Sequence, residues 1–361
     1  MKPGPQARTY LDWNATAPLR PEARDAMCAA MVQFGNPASV HAEGRAARAM
    51  IERARADIAR DLGCKPAEIV FTSGATEAAS VLGRMPGGEA VVVDPTAHDA
   101  LWAHRRDDAV EGDVPGILAM GLANSETGVL TGFPERRDGR WPVPGGTVDK
   151  VLLDVTQAVG RVPFSFAWSG ADMAVLSAHK LGGPKGVGAL ILRDGLEVPT
   201  LQSGGGQEMG RRSGTENTFG IMGFAAALRA SMDDLEAGVW ARVEKLRNIL
   251  EKSVEAAGSE TILVGKDMQR IPNTLCMAVP GWRGETQVMQ MDLAGFAISA
   301  GSACSSGKVQ ESRVLRAMGF GPEVAGCAIR VSIGPTTTEE DVLRFAEAWT
   351  AQHRKFKARA A

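Results

Sequence analysis

The chain has little net charge, few aromatic residues, few cysteines and no long apolar run, and each shortage narrows what it can be. Forty basic against forty-two acidic side chains leave a formal net charge of -2, which gives no electrostatic footprint for nucleic acid. The one basic concentration, His353-Arg-Lys-Phe-Lys-Ala-Arg359, falls where cations favour a helix end and reads as a solvated terminal turn. No apolar stretch reaches membrane-spanning length and no signal-like segment opens the chain, so a cytoplasmic protein without membrane or nucleic-acid partners is expected. The five cysteines (Cys28, Cys64, Cys276, Cys304 and Cys327) include no Cys-x-x-Cys pair, which argues against zinc, and their odd number argues against a disulfide framework. All but Cys304 read as buried small hydrophobes, while His41 and His104 lack ligand-like spacing and read as structural or exposed; no metal is expected.

What is present is length and apolar content. At 361 residues and 44% hydrophobic, the chain can bury a large core in two subdomains, although only 5% of it is aromatic. Strand patterns alternate with helical ones over residues 68–192, which predicts an α/β fold with a mainly parallel sheet. Over 218–257 the spacing of Phe224, Leu228, Met232, Leu235, Val239, Val243, Leu246 and Leu250 predicts a long amphipathic helix broken near Gly238. Residues 274–279 and 329–333 read as strands of a smaller α+β C-terminal domain. The Pro/Gly-rich residues 131–146 read as irregular loop.

Chemistry concentrates at the strand ends. Val151-Leu-Leu-Asp-Val-Thr-Gln157 and Val175-Leu-Ser-Ala-His-Lys180 each run from apolar β-formers into polar residues, and so deliver Asp154, Gln157, Ser177, His179 and Lys180 to one sheet edge. An amine for a Schiff base, a carboxylate for a ring nitrogen and small donors for a phosphate are the parts pyridoxal phosphate requires. Taken singly, a strand-terminal Asp reads as a turn residue and a Lys before Gly-Gly as a solvated one. Two further segments tip the balance. Ile69-Val-Phe-Thr-Ser-Gly-Ala-Thr-Glu77 is a strand entering a small-residue turn and a helix start, an anion site with the Ser73 and Thr76 hydroxyls beside it. Ile298-Ser-Ala-Gly-Ser-Ala-Cys304-Ser-Ser-Gly307 sets one thiol on a Gly/Ser-rich segment, unlike a core cysteine, and makes Cys304 the candidate nucleophile.

These segments, together with Tyr10-Leu-Asp-Trp-Asn-Ala-Thr-Ala-Pro-Leu19, Phe34-Gly-Asn-Pro-Ala-Ser39, Thr96-Ala-His98, Arg211-Arg-Ser-Gly-Thr215 and Ile329-Arg-Val-Ser-Ile-Gly334, occur in an order that resembles cysteine desulfurases of the NifS/IscS type. The resemblance spans nearly the whole chain. It implies a fold-type I pyridoxal-phosphate enzyme of the class-V aminotransferase family that takes sulfur from L-cysteine, leaves L-alanine and holds the sulfur as a persulfide. Lys180 is then the Schiff-base lysine and proton shuttle, Asp154 the partner of the pyridine nitrogen and Gln157 the donor to the phenolic oxygen. His98 stacks on the ring and counts as catalytic with Lys180 and Cys304. Ala75, Thr76, Ser177 and His179 surround the phosphate, with Thr215 reaching in from the second subunit of a homodimer. Arg330, with Asn36 and Ser125, handles the substrate, Arg330 by its planar fork. The implied domains are an N-terminal segment 1–16 packing with the small domain, a large domain 17–245 and a small domain 246–361 carrying the Cys304 loop. The implied acceptor is an iron–sulfur scaffold or a tRNA-thiolation protein.

The chain departs from the pattern at Asn124-Ser-Glu-Thr-Gly128, where most of the family has Asn in place of Ser125. Near the phenolic oxygen and the substrate carboxylate, that change is expected to slow turnover or alter substrate choice. The chain is also short between Arg84 and Val151. Two other readings stay open: a related lyase or aminotransferase acting on a substrate such as selenocysteine, and a diverged member that mainly binds a partner.

Overall fold

A computed structural model describes residues 8–106, 110–301 and 311–360. The described residues divide into two units, one within Ala17–Ala123 and Thr131–Glu236, the other within Met1–Thr16, Asn124–Leu130 and Ala237–Ala361. The short segment Asn124–Leu130 and residues 237–245 thus go with the C-terminal part of the chain.

The larger unit is built on six strands, β1 (Ile69–Thr72), β2 (Ala90–Val93), β3 (Gly116–Gly121), β4 (Lys150–Asp154), β5 (Met173–Ser177) and β6 (Gly188–Leu192), in the spatial order β1-β6-β5-β4-β3-β2. β2, β3, β4 and β5 are mutually parallel, and β6 runs antiparallel to both β5 and β1, so β1 has the same direction as the other four. The strands are apolar almost throughout because both faces are covered. Successive residues serve opposite cores: Val151, Leu153, Ala174 and Leu176 join one, Leu152, Met173 and Val175 the other. The first core includes Ile51, Ile58 and Leu62 of helix α2 (Ala42–Leu62) and Phe224 and Leu228 of helix α3 (Thr218–Glu236); the short helix α1 (Pro21–Ala30) contributes Ala23. The second is closed by the short helices Ala75–Ala79, Val81–Arg84 and Asp99–Trp102.

Strand β1 lies at the sheet edge, and a buried ion pair covers it. Glu208 Oε2 accepts the Phe71 N–H at 2.8 Å and Arg55 Nη1 donates to the Ile69 carbonyl at 2.9 Å, while the two side chains bond each other at 2.8 and 2.9 Å. Glu208 and Met209 are left-handed, with φ of 50° and 57°, which turns the carboxylate onto the strand.

Two expectations need correction. Residues 131–146 are not all irregular: Trp141–Val143 and Gly146–Val148 form an antiparallel pair, which Gly112–Asp113 joins in parallel. Trp141 anchors it, buried against Phe133 with the Arg136 guanidinium 4.3 Å from its ring. Nor are all the remaining cysteines buried. Cys276 and Cys327 are, and burial pushes the half-buried Cys64 thiol up to about 12, but Cys28 is exposed because α1 buries the opposite face, through Ala23 and Ala30.

In the other unit, β7 (Ile262–Leu263), β8 (Thr274–Ala278), β9 (Ser299–Ala300) and β10 (Ala328–Ser332) form an antiparallel sheet of order β7-β8-β10-β9. Phe296–Ala297 pairs in parallel with Thr9–Tyr10. Helices α4 (Val239–Glu255) and α5 (Glu339–Ala360) belong to this unit, and Gly238, at φ 72°, is the break that separates α3 from α4. Among the described residues, no helix is long and apolar enough to cross a membrane.

Candidate active site

Five strands of the large sheet point the same way, so the segments that follow them leave from one carboxyl edge, the position at which α/β sheets place ligands. Asp154 ends β4 in register with Gly121 of β3 and Val175 of β5, and its Oδ1 accepts the Thr156 N–H at 2.9 Å. Ser177 ends β5, and the single turn Ala178–Lys180 then presents His179 and Lys180, both half-buried. β2 leads into the turn that carries His98, and β1 into Ser73–Glu77.

Local hydrogen bonds fix what each group can offer. Ser177 Oγ accepts the Ala75 N–H at 2.7 Å, tying the start of the Ala75–Ala79 helix to β5. This approach needs glycine, since a Cβ on Gly188 would lie 2.7 Å from Gly74 Cα. The Ser73 amide is already taken by Glu77 Oε2 at 2.6 Å, and Glu77 also receives Arg212 at 2.8 Å. Burial raises the Glu77 carboxyl, but hydrogen bonds from Arg212 and Ser73 outweigh it and hold the group below its ordinary value. Thr76 is exposed on the first turn of the same helix. His98 Nδ1 accepts the Ala100 N–H at 3.1 Å, so a neutral ring carries its proton on Nε2. Burial, with Lys180 and Lys185 nearby, pushes His179 down to about 4, and its imidazole is neutral at physiological pH.

Arg161, which the sequence reading missed, joins two of these groups. Only 4% exposed, it donates to Gln157 Oε1 through Nη1 and to the Lys180 carbonyl through Nη2 at 2.9 Å. With the oxygen of the buried Gln157 accepting from Arg161, the other end of its amide is a nitrogen, a donor. The available signal was its place four residues after Gln157, one turn along.

The remaining candidates of this unit are more peripheral. Thr215 is exposed and lines a cavity of about 80 Å³ with Ser73 and Arg212. Asn36 is exposed and its Oδ1 accepts the Ala38 N–H at 2.9 Å, the work of a turn residue.

The other unit holds Arg330, 3% exposed on β10. Its Nη2 donates to Asp12 Oδ1 at 2.8 Å and its Nη1 to the Ser125 carbonyl at 3.0 Å, while Nε is buried without a partner. Asn14 Nδ2 also donates to the Ser125 carbonyl, at 3.2 Å. Ser125 thus meets Arg330 through its backbone, a contact that does not depend on which side chain stands there. Sequence reasoning left Asp12 and Asn14 without a role. Cys304 lies outside the described residues.

The chemistry of the large unit's donors fits pyridoxal phosphate. Such a group would find an amine in Lys180, a carboxylate in Asp154, an oriented amide in Gln157, a ring donor in His98, and hydroxyls and a neutral imidazole in Thr76, Ser177 and His179 for its phosphate.

The family model described as Aminotransferase class-V matches residues 9–104 and 147–345. The stretch it omits contains the Trp141–Val143 strand. A cysteine desulfurase of Cereibacter sphaeroides is 37% identical, with 94% of each chain covered. Cysteine desulfurase IscS of Dictyoglomus turgidum is 33% identical over 92% of this chain and 91% of its own. Among solved structures, a NifS-like protein superposes with a TM-score of 0.84 at 28% identity, covering 96% of this chain and 99% of that one. The NifS-like protein from Rickettsia africae ESF-5 gives a TM-score of 0.83 at 28% identity, with the same shares covered.

Proposed function

The chain belongs to the class-V aminotransferase family, and from that membership we propose that it is a pyridoxal-phosphate-dependent cysteine desulfurase. The observation that carries the reading is the delivery of Lys180, Asp154, Gln157, His98 and Ser177 to one carboxyl edge of a parallel sheet.

When bound, the cofactor would supply an aldehyde that captures the substrate amine and a protonated ring that takes up the electrons left by the Cα proton. Lys180 would hold the cofactor at rest and, once displaced, carry that proton on Nζ. The Asp154 carboxylate would keep the ring nitrogen protonated by its charge. Gln157, oriented by Arg161, would donate to the phenolic oxygen, His98 would stack on the ring, and Ala75, Thr76, Ser177 and His179 would hold the phosphate. Arg330 would hold the L-cysteine carboxylate, with Asn36 and Ser125 assisting. The Cys304 thiolate would then attack the substrate sulfur: an S–S bond forms, the C–S bond breaks, and alanine leaves while the persulfide waits for an acceptor. That acceptor is an iron–sulfur scaffold or a tRNA-thiolation protein of the cytoplasm. The enzyme would work as a homodimer with Thr215 completing the partner's phosphate site, a reading supported by the exposure of Phe34 (87%) and Val40 (88%).

The test is an absorption spectrum of the purified protein followed by L-cysteine, with alanine and sulfide assayed. A cofactor band that persists in Cys304→Ala, together with alanine formation that does not, is the expected result. Undiminished alanine formation by Cys304→Ala, or no band in the wild type, would overturn the reading.

A further inference from the structure

We infer that Asp12 is a specificity-determining partner of Arg330, which orients its guanidinium and offsets its charge so that a carboxylate is held by a tempered cation. The inference rests on the proposal that Arg330 binds the substrate carboxylate.

Asp12 is itself fixed on two sides. Oδ1 accepts from Arg330 Nη2 at 2.8 Å and Oδ2 accepts from Ser299 Oγ at 2.8 Å. Ser299 and Arg330 are register partners on β9 and β10, so one carboxylate spans neighbouring positions of the sheet and cannot turn away without losing both bonds. Both charged side chains are largely buried, Arg330 at 4% and Asp12 at 16% exposure, where water screens little. Nη1 is fixed as well, by the Ser125 carbonyl at 3.0 Å. Nε is different: it is buried and has no acceptor.

A guanidinium held at Nη1 and Nη2 keeps one orientation, and its buried Nε is a donor still unsatisfied. An arriving carboxylate meets a cation whose charge is partly balanced, which favours release of the product and disfavours a substrate with a second acidic group near the first. An unopposed arginine would grip carboxylates more tightly and discriminate less.

The pyridoxal-phosphate-loaded protein is titrated with L-alanine and with ethylamine, the same amine without a carboxylate, and the change in cofactor absorption is followed. Asp12→Asn keeps an oxygen for Nη2 and removes the charge; it should tighten L-alanine about 3- to 10-fold and leave ethylamine unchanged. If Asp12→Asn does not fold, Ser299→Ala tests the same link. It removes the hydrogen bond that competes for the Asp12 charge and should weaken L-alanine about 2- to 3-fold, again sparing ethylamine. An L-alanine affinity that does not move, or that moves equally with ethylamine, overturns the inference alone. A wild-type protein whose absorption neither compound alters overturns the functional reading, and the inference with it.

Discussion

Arg161 places one buried cation between the amide of Gln157 and the carbonyl of Lys180, and so sets both the direction of a donor and the course of the chain at the lysine. Replacing it with Met should cost the protein both charge-assisted hydrogen bonds, about 1.5–3 kcal/mol each, and weaken cofactor binding by about tenfold. A pyridoxal-phosphate titration checks this; an unchanged dissociation constant in a folded variant would remove Arg161 from the site. At this scale the sequence was readable where a polar residue ended an apolar run, as with Asp154 and Lys180. It was silent on Arg161 and Asp12, because an arginine after Val159-Gly160 and an aspartate after Leu11 read as ordinary solvated charges. Only long-range packing buries them, and only their partners reveal their work.

Among the elements, the edge of β1 depends on a pair that no periodicity reveals. Arg55 and Glu208 stand far apart in the chain, yet together they complete a donor and an acceptor of the strand that leads into Ser73–Glu77. Glu208→Ala would leave the buried Arg55 with only the solvent-exposed Glu52, 3.3 Å away, as a counter-charge, and should destabilise the protein by about 3–5 kcal/mol, read by chemical denaturation. The double variant Arg55→Met, Glu208→Leu should recover much of that loss; a double variant as unstable as the single one would refute the account. The strands were legible because both faces are buried and their sequences are continuously apolar. The hairpin around Trp141 was not, since its strands are three residues long and one contains a proline, so turn-forming composition outweighed two short stretches that tertiary packing stabilises.

For the whole molecule, Met31, Val32, Phe34 and Val40 are all exposed on the connector between α1 and α2, and the proposed homodimer would cover them. Phe34→Asp should convert the proposed homodimer to monomer in light scattering after gel filtration, while a variant of wild-type mass would place the interface elsewhere. The excursion Asn124–Leu130 carries no compositional mark of leaving one unit and returning, so periodicity and composition do not reveal it.

That excursion bears on synthesis. The chain passes between the units four times, at 16/17, 123/124, 130/131 and 236/237, so no single cut yields two complete pieces. On the ribosome the larger unit has its whole sequence once residue 236 has emerged, whereas in the smaller one residues up to 16 and the seven-residue excursion must wait for the part that follows residue 236. Arg330 and Ser125 therefore cannot meet until residue 330 has emerged, long after the larger unit's sequence is complete, and a chain truncated before that point would lack the arginine proposed for the substrate carboxylate.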